Sequence, residues 1–207
     1  MVPEKLGMFR KFLAKLGKRA YWTVTKKMNL WMLSSMAYGV TKKYEEIFEG
    51  DTGMAVDTFT EQFVNGANSI MYELLGTMKI FFSKSLEDVD FLAETALHVI
   101  LGSKWPQFFG KPKMILAENT EEGVAQLVMR FPRCVLCTGL RPGIDVDHTK
   151  LRKNSYGELL ARALVALMQL IQDYVGNKYK LVVKETKCRL RGDPYGEGIS
   201  YYYPKDE

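Results

Sequence analysis

An α+β fold, with an antiparallel sheet packed on a layer of helices, is predicted by three observations. Helical periodicity runs through the first half of the chain, up to about Gly102. From about Lys113 the pattern changes to short apolar runs bounded by turn residues, which read as strands. A long, nearly all-apolar helical stretch, Ser155 to Val175, then precedes an alternating strand in which Tyr179, Leu181 and Val183 share one face. Helices gathered ahead of antiparallel strands segregate to one side of the sheet. Their apolar surface exceeds what one small sheet covers, so the helical layer is expected to dimerise.

The first element is short and basic. Leu6, Phe9, Phe12, Leu13 and Leu16 recur at helical spacing, with Arg10, Lys11, Lys15 and Lys18 largely on the other side. Gly7 and Gly17 weaken it. Between Met1 and Leu30 the cations Lys5, Arg10, Lys11, Lys15, Lys18, Arg19, Lys26 and Lys27 meet a single acid, Glu4. Residues 1–27 are therefore set apart as a basic amphipathic N-terminal helix, and residues 28–207 as one domain.

A second helix is predicted from about Met28 to Phe48, closed by Gly50. Asp51 or Thr52 caps a third, which runs through Phe59, Phe63, Ala67, Ile70, Leu74, Met78 and Phe81. Ser85 with Asp88 resembles a capping box for a fourth, Leu86 to Leu101, which Gly102 ends. Met114–Ala117 and Val124–Arg130 form a hairpin-like pair across Glu118–Gly123. A loop carrying Cys134, Cys137 and His148 leads into the long helix, whose apolar run is interrupted mainly by Arg162 and Gln169. Strands near Tyr179–Glu185 and Ile199–Tyr203 close the chain, joined across the turn signal Gly192-Asp193-Pro194-Tyr195.

At 207 residues the chain suffices for one substantial core, and its 26% charged and 47% hydrophobic residues are ordinary for a globular domain. No run of eighteen uncharged apolar residues occurs, so no bilayer span is expected, and no secretory signal is read at the N-terminus. Three cysteines, two of them adjacent in a C-x-x-C, make no disulfide framework, which points to the reducing cytosol. The net charge of +5 is concentrated at the N-terminus, suggesting an anionic surface or an acidic partner for that segment.

The order of long helix, strand, Glu185-x-x-Cys188 and then Gly192-Asp193 resembles the end of a 4-vinyl reductase, or hydrocarbon-binding, domain. That superfamily includes archaeal members and the Bet-three-type TRAPP vesicle-tethering subunits. Ala37-Tyr38-Gly39 and the segment Leu101, Gly102, Trp105 extend the resemblance, which covers roughly Leu30 to Tyr203. It implies a domain that holds a ligand or a partner rather than one that performs chemistry. It also implies a tunnel for an aromatic or acyl chain, for which Phe59, Phe63, Met71, Met78, Phe81 and Phe82 are the candidate lining. Met fills irregular shapes, and Gly53, Gly66 and Gly76 permit close approach. The competing reading of these residues is ordinary core. TRAPP-type S-acylation does not carry over, because Phe81–Leu86 contains no cysteine.

Metal-binding members of the superfamily use a cysteine ahead of the long helix, a glutamate and two cysteines spaced like Cys188 and position 196. Here Gly196 takes the second place and Leu151–Ser155 has no cysteine. A zinc set would have to recruit Cys134, Cys137 and His148 beside Cys188, so no cofactor and no stoichiometric zinc are expected. A redox role for the C-x-x-C wants a helix start, whereas Arg130–Cys134 reads as a strand end. His98 sits among Leu97, Val99 and Ile100 as a core or edge residue, and the paired carboxylates Glu45-Glu46, Glu87-Asp88 and Glu121-Glu122 lie at helix ends or turns. No phosphate loop, dinucleotide fingerprint or nucleophile elbow appears, so the protein is not expected to be an enzyme.

The first functional expectation is a cytoplasmic dimer binding a hydrophobic small molecule or lipid in its core. The alternative is a TRAPP-like tethering or scaffold subunit, homo- or heterodimeric, placed at a membrane by Arg10, Lys11, Lys15 and Lys18. A zinc-dependent sensor is the weaker alternative. Nucleic acid is not an expected partner, since no recognition motif accompanies the basic patch.

Overall fold

The computed structural model describes residues 3–24, 30–78, 82–137, 156 and 158–205. Among these residues five α-helices, α1 (Met8–Val24), α2 (Leu30–Ile47), α3 (Thr52–Met78), α4 (Val89–Leu101) and α5 (Glu158–Val175), accompany four strands, β1 (Lys113–Ile115), β2 (Ala125–Phe131), β3 (Tyr179–Lys187) and β4 (Gly196–Pro204). The α+β order predicted from periodicity is the order observed. The fourth helix differs at its start. Leu86–Asp88 is a single 3-10 turn, and the α-helix begins at Val89. Ser85 Oγ accepts from Glu87 N at 3.2 Å, but Asp88 completes no capping box; it is buried and directed at the N-terminal segment.

The strands form one antiparallel sheet in the order β1-β2-β4-β3. Period-2 alternation assigns its two faces. Leu127, Met129 and Phe131 on β2 register with Ser200, Gly198 and Gly196 on β4, and Leu181 on β3 registers with Tyr202. These residues are buried beneath α5 and α4. The inward positions of β4 are small where α5 crosses. A Cβ at Gly198 would stand 3.4 Å from Ala161 Cβ, and one at Gly196 would stand 3.2 Å from the Phe131 ring. On the opposite face Lys184 Nζ lies 5.2 Å from the Tyr201 ring centroid, and Tyr203 stacks on Tyr201 at 6.2 Å. Those neighbours leave Tyr201 buried on the side of the sheet that α5 does not cover.

Gln169, read from sequence as a break in the apolar run of α5, joins that helix to the edge strand. Its Nε2 donates to Tyr179 O at 2.8 Å, and Leu181 N donates to its Oε1 at 2.8 Å. Arg162, the other break, reaches Asp57 on α3 at 3.0 Å. The Gly-Asp-Pro-Tyr turn forms as predicted by composition: Gly192 adopts φ 95°, and Cys188 N donates to Asp193 Oδ2 at 2.7 Å.

Two apolar clusters result. The larger joins Leu6 and Ala14 to α4, the inward sheet face and the C-terminal half of α5. The smaller gathers Ala37, Val56, Leu136, Tyr156, Leu159, Cys188 and Leu190, under α2, α3 and the start of α5. Ser34 Oγ donates to Leu136 O and fastens α2 to the one-turn helix Val135–Cys137.

Asp88 secures α1. Its carboxylate accepts from Leu6 N at 2.7 Å and Ser83 Oγ at 2.9 Å, and Lys11 Nζ lies 2.5 Å from it. Burial by itself pushes this carboxyl up, but the Leu6, Lys11 and Ser83 bonds and the Lys11 charge outweigh burial and hold it below its ordinary value. A depressed carboxylate contributes stability that is present above the unfolded-state value and lost as pH falls through the folded one. The free energy of unfolding should therefore decline as pH drops below about 4, and Asp88→Asn should remove part of that acid dependence while destabilising the fold by about 2 kcal/mol. Urea titrations of both proteins across acidic pH measure both effects; equal stability of variant and parent would contradict them.

Candidate functional site

Three arrangements were candidates in the sequence: the aromatic and Met lining, the cysteine group, and the basic N-terminal helix. The described residues do not bring the lining together. Phe59 and Phe63 lie one helical turn apart on α3, with ring centroids 6.0 Å apart, and are half-buried against the smaller cluster. Phe82 belongs to the larger cluster and meets Tyr174 edge-on at 5.7 Å. The side chains of Met71 and Met78, and all of Phe81, lie outside the described residues.

The cysteine group is described only in part. Cys134 and Cys188 line one shallow recess together with Phe131, Leu136, Leu160, Glu185, Arg189 and Gly196. His148 and the Cys137 side chain lie outside the described residues. Among the described residues no three His, Cys, Asp or Glu side chains are grouped to hold a metal. The space beside Gly196, where the metal-binding pattern wants a cysteine, is taken by the Phe131 ring at 3.2 Å from the ideal Cβ. A side chain at that position would press on the Phe131 ring, which would have to shift by a few tenths of an ångström.

Burial raises the Cys188 thiol to about 11, and the neighbouring Glu185 carboxylate adds to the rise. At neutral pH this sulfur is a protonated thiol, not a nucleophile. Glu185 itself is held by Arg191 at 3.2 Å, a pairing that depends on how the chain turns after β3 and that no local pattern signals.

Helix α1 turns its polar side, not its apolar stripe, toward the body. Its inward side is Leu6, Lys11, Ala14 and Lys18: Ala14 is fully buried, Lys11 reaches Asp88, and Lys18 lies 3.9 Å from Glu94 on α4. Lys11 Nζ is also 5.7 Å from the Phe91 ring centroid. Its apolar stripe faces away from the body, with Met8 89%, Phe9 71%, Phe12 56% and Leu16 55% exposed. The stripe does not pack on the domain, and two of the four proposed surface cations are engaged with α4 or the turn before it. Arg10 and Lys15 are exposed.

Helix α2 carries a second exposed strip. Met32, Met36, Gly39, Lys43 and Ile47 recur at intervals of three and four residues, and Met32, Met36 and Ile47 are each more than half exposed. No helix among the described residues is long and apolar enough to cross a membrane.

No protein-family model matches the chain. No curated protein matches it in sequence. Among solved structures it is similar to a trafficking protein particle complex subunit 3 from Naegleria fowleri covalently bound to palmitic acid. The two share 12% identity, with 86% of this chain and 98% of that chain covered and a TM-score of 0.49.

The buried, protonated Cys188 should resist alkylation by iodoacetamide at neutral pH and react only once urea unfolds the chain. Peptide mass spectrometry before and after denaturation reads this directly, and rapid labelling of native Cys188 would refute the placement.

Proposed function

We propose that the protein is a non-catalytic assembly module, a scaffold subunit that pairs with a second copy through the outer strip of α2. The observation that carries this reading is the pattern on α2. Met32, Met36, Lys43 and Ile47 are placed symmetrically about Gly39 and Val40. Antiparallel pairing of two α2 helices on a two-fold axis sets Met32 opposite Ile47 and Met36 opposite Lys43. Nothing lies within 4 Å of the ideal Cβ of Gly39, so that site is open to close approach by a partner backbone. The charge on the strip is already matched: Lys43 bonds Glu46 at 2.7 Å. An interface with its own ion pairs leaves no excess charge to repel a second copy.

The non-catalytic part rests on the thiol chemistry above and on the separation of the described candidate side chains. The first expectation, a core tunnel for a lipid or aromatic molecule, is supported less well, since Phe59 and Phe63 fall in one cluster and Phe82 in another.

Light scattering on a sizing column should give twice the 23.7 kDa chain mass. Gly39→Glu sets like charges from the two copies beside the two-fold axis and should weaken association by about 2 kcal/mol or more while leaving each chain folded, since nothing lies within 4 Å of its ideal Cβ. A monomeric parent protein, or a variant dimer as tight as the parent, would overturn the reading.

A further inference from the structure

We propose that α1 is a membrane-lying helix, whose outward face enters the headgroup region of an anionic bilayer while α4 supports it from behind. An apolar face this exposed requires a cover, and its charge selects which one. The sequence of α1 contains Arg10, Lys11, Lys15, Lys18 and Arg19 and no acid. A second copy seated on this face would bring cation against cation on a two-fold axis, unlike the matched charges of α2. An anionic lipid surface meets the same charge with attraction, worth on the order of 1 kcal/mol per cation near the surface.

The composition of the face fits a bilayer. Met8, Phe9, Phe12 and Leu16 form a contiguous stripe without a buried polar group among them. At 17 residues α1 is about 25 Å long, suited to lie in the interface plane with its apolar side some 5–10 Å into the acyl boundary. The two lysines on the far side are tied to Asp88 and Glu94, so the helix is presented in a set orientation. Exposed Arg10 and Lys15 remain for phosphate groups. The cationic contribution thus comes from two of the four residues read from the sequence, and the apolar stripe supplies the anchor.

Sedimentation with vesicles of phosphatidylcholine carrying about one third phosphatidylserine tests this. The parent protein should co-sediment, and added salt should weaken the binding. Phe9→Ser combined with Phe12→Ser should lower vesicle affinity at least about tenfold with an unchanged melting temperature, because both rings are exposed. Arg10→Glu with Lys15→Glu should lose binding to charged vesicles, whereas Lys11→Glu should lower the melting temperature by facing Asp88. Gly39→Glu should still bind vesicles, which separates this proposal from assembly through α2. Failure of the parent to bind, or unchanged binding by the double serine variant, would overturn it. A drop in oligomeric mass in that variant would instead assign the face to a second copy.

Discussion

The close approach of α5 to β4 is the constraint on which the remaining arrangement depends. β4 is a central strand, hydrogen-bonded to β2 on one side and β3 on the other, and its inward positions are Gly196, Gly198 and Ser200 before Tyr202. With Ala161 over Gly198, helix and sheet meet without intervening side chains. That contact lets Phe131 lie flat beside Gly196 and brings Gln169 within reach of the β3 backbone. α3 then packs on α5, and α2 packs on α3 and on the Val135–Cys137 turn. Larger residues on β4 would lift α5 and separate the two apolar clusters, which share Leu160 at their margin.

A second constraint acts at the other end of the helical layer. One buried carboxylate, Asp88, decides which side of α1 faces the body. Three donors from the N-terminal segment and the turn before α4 converge on it, and a charge so enclosed is tolerated only when its bonds are made. Satisfying Asp88 brings Lys11 inward and therefore turns the Met8, Phe9, Phe12 and Leu16 stripe outward. A polar requirement outweighs the preference of an amphipathic helix to bury its apolar face, and it creates the most exposed apolar surface described in the chain.

Packing also sets the state of Cys188. Burial and Glu185 together keep its thiol protonated, and an aromatic ring fills the position from which another ligand would come. The Glu185–Arg191 pair closes one side of the recess.

Element order, the antiparallel strand pairs and the turn at Gly192 were legible in the residues, because period-2 and period-3.6 alternation and the turn preferences of Gly, Asp and Pro are local properties. So were the boundaries of α2 and α5, to within a few residues. Periodicity identifies an apolar stripe but does not say what will cover it. Lys11 looked like a surface cation until Asp88, distant in sequence, drew it inward. Asp88 looked like half of a capping box, Gln169 like a flaw in a helix, and Phe82 like a neighbour of Phe59. Each depended on a partner many residues away. Long-range registry, set by the small residues of β4 and the buried carboxylate beneath α1, assigned those partners, and no local pattern carries that information.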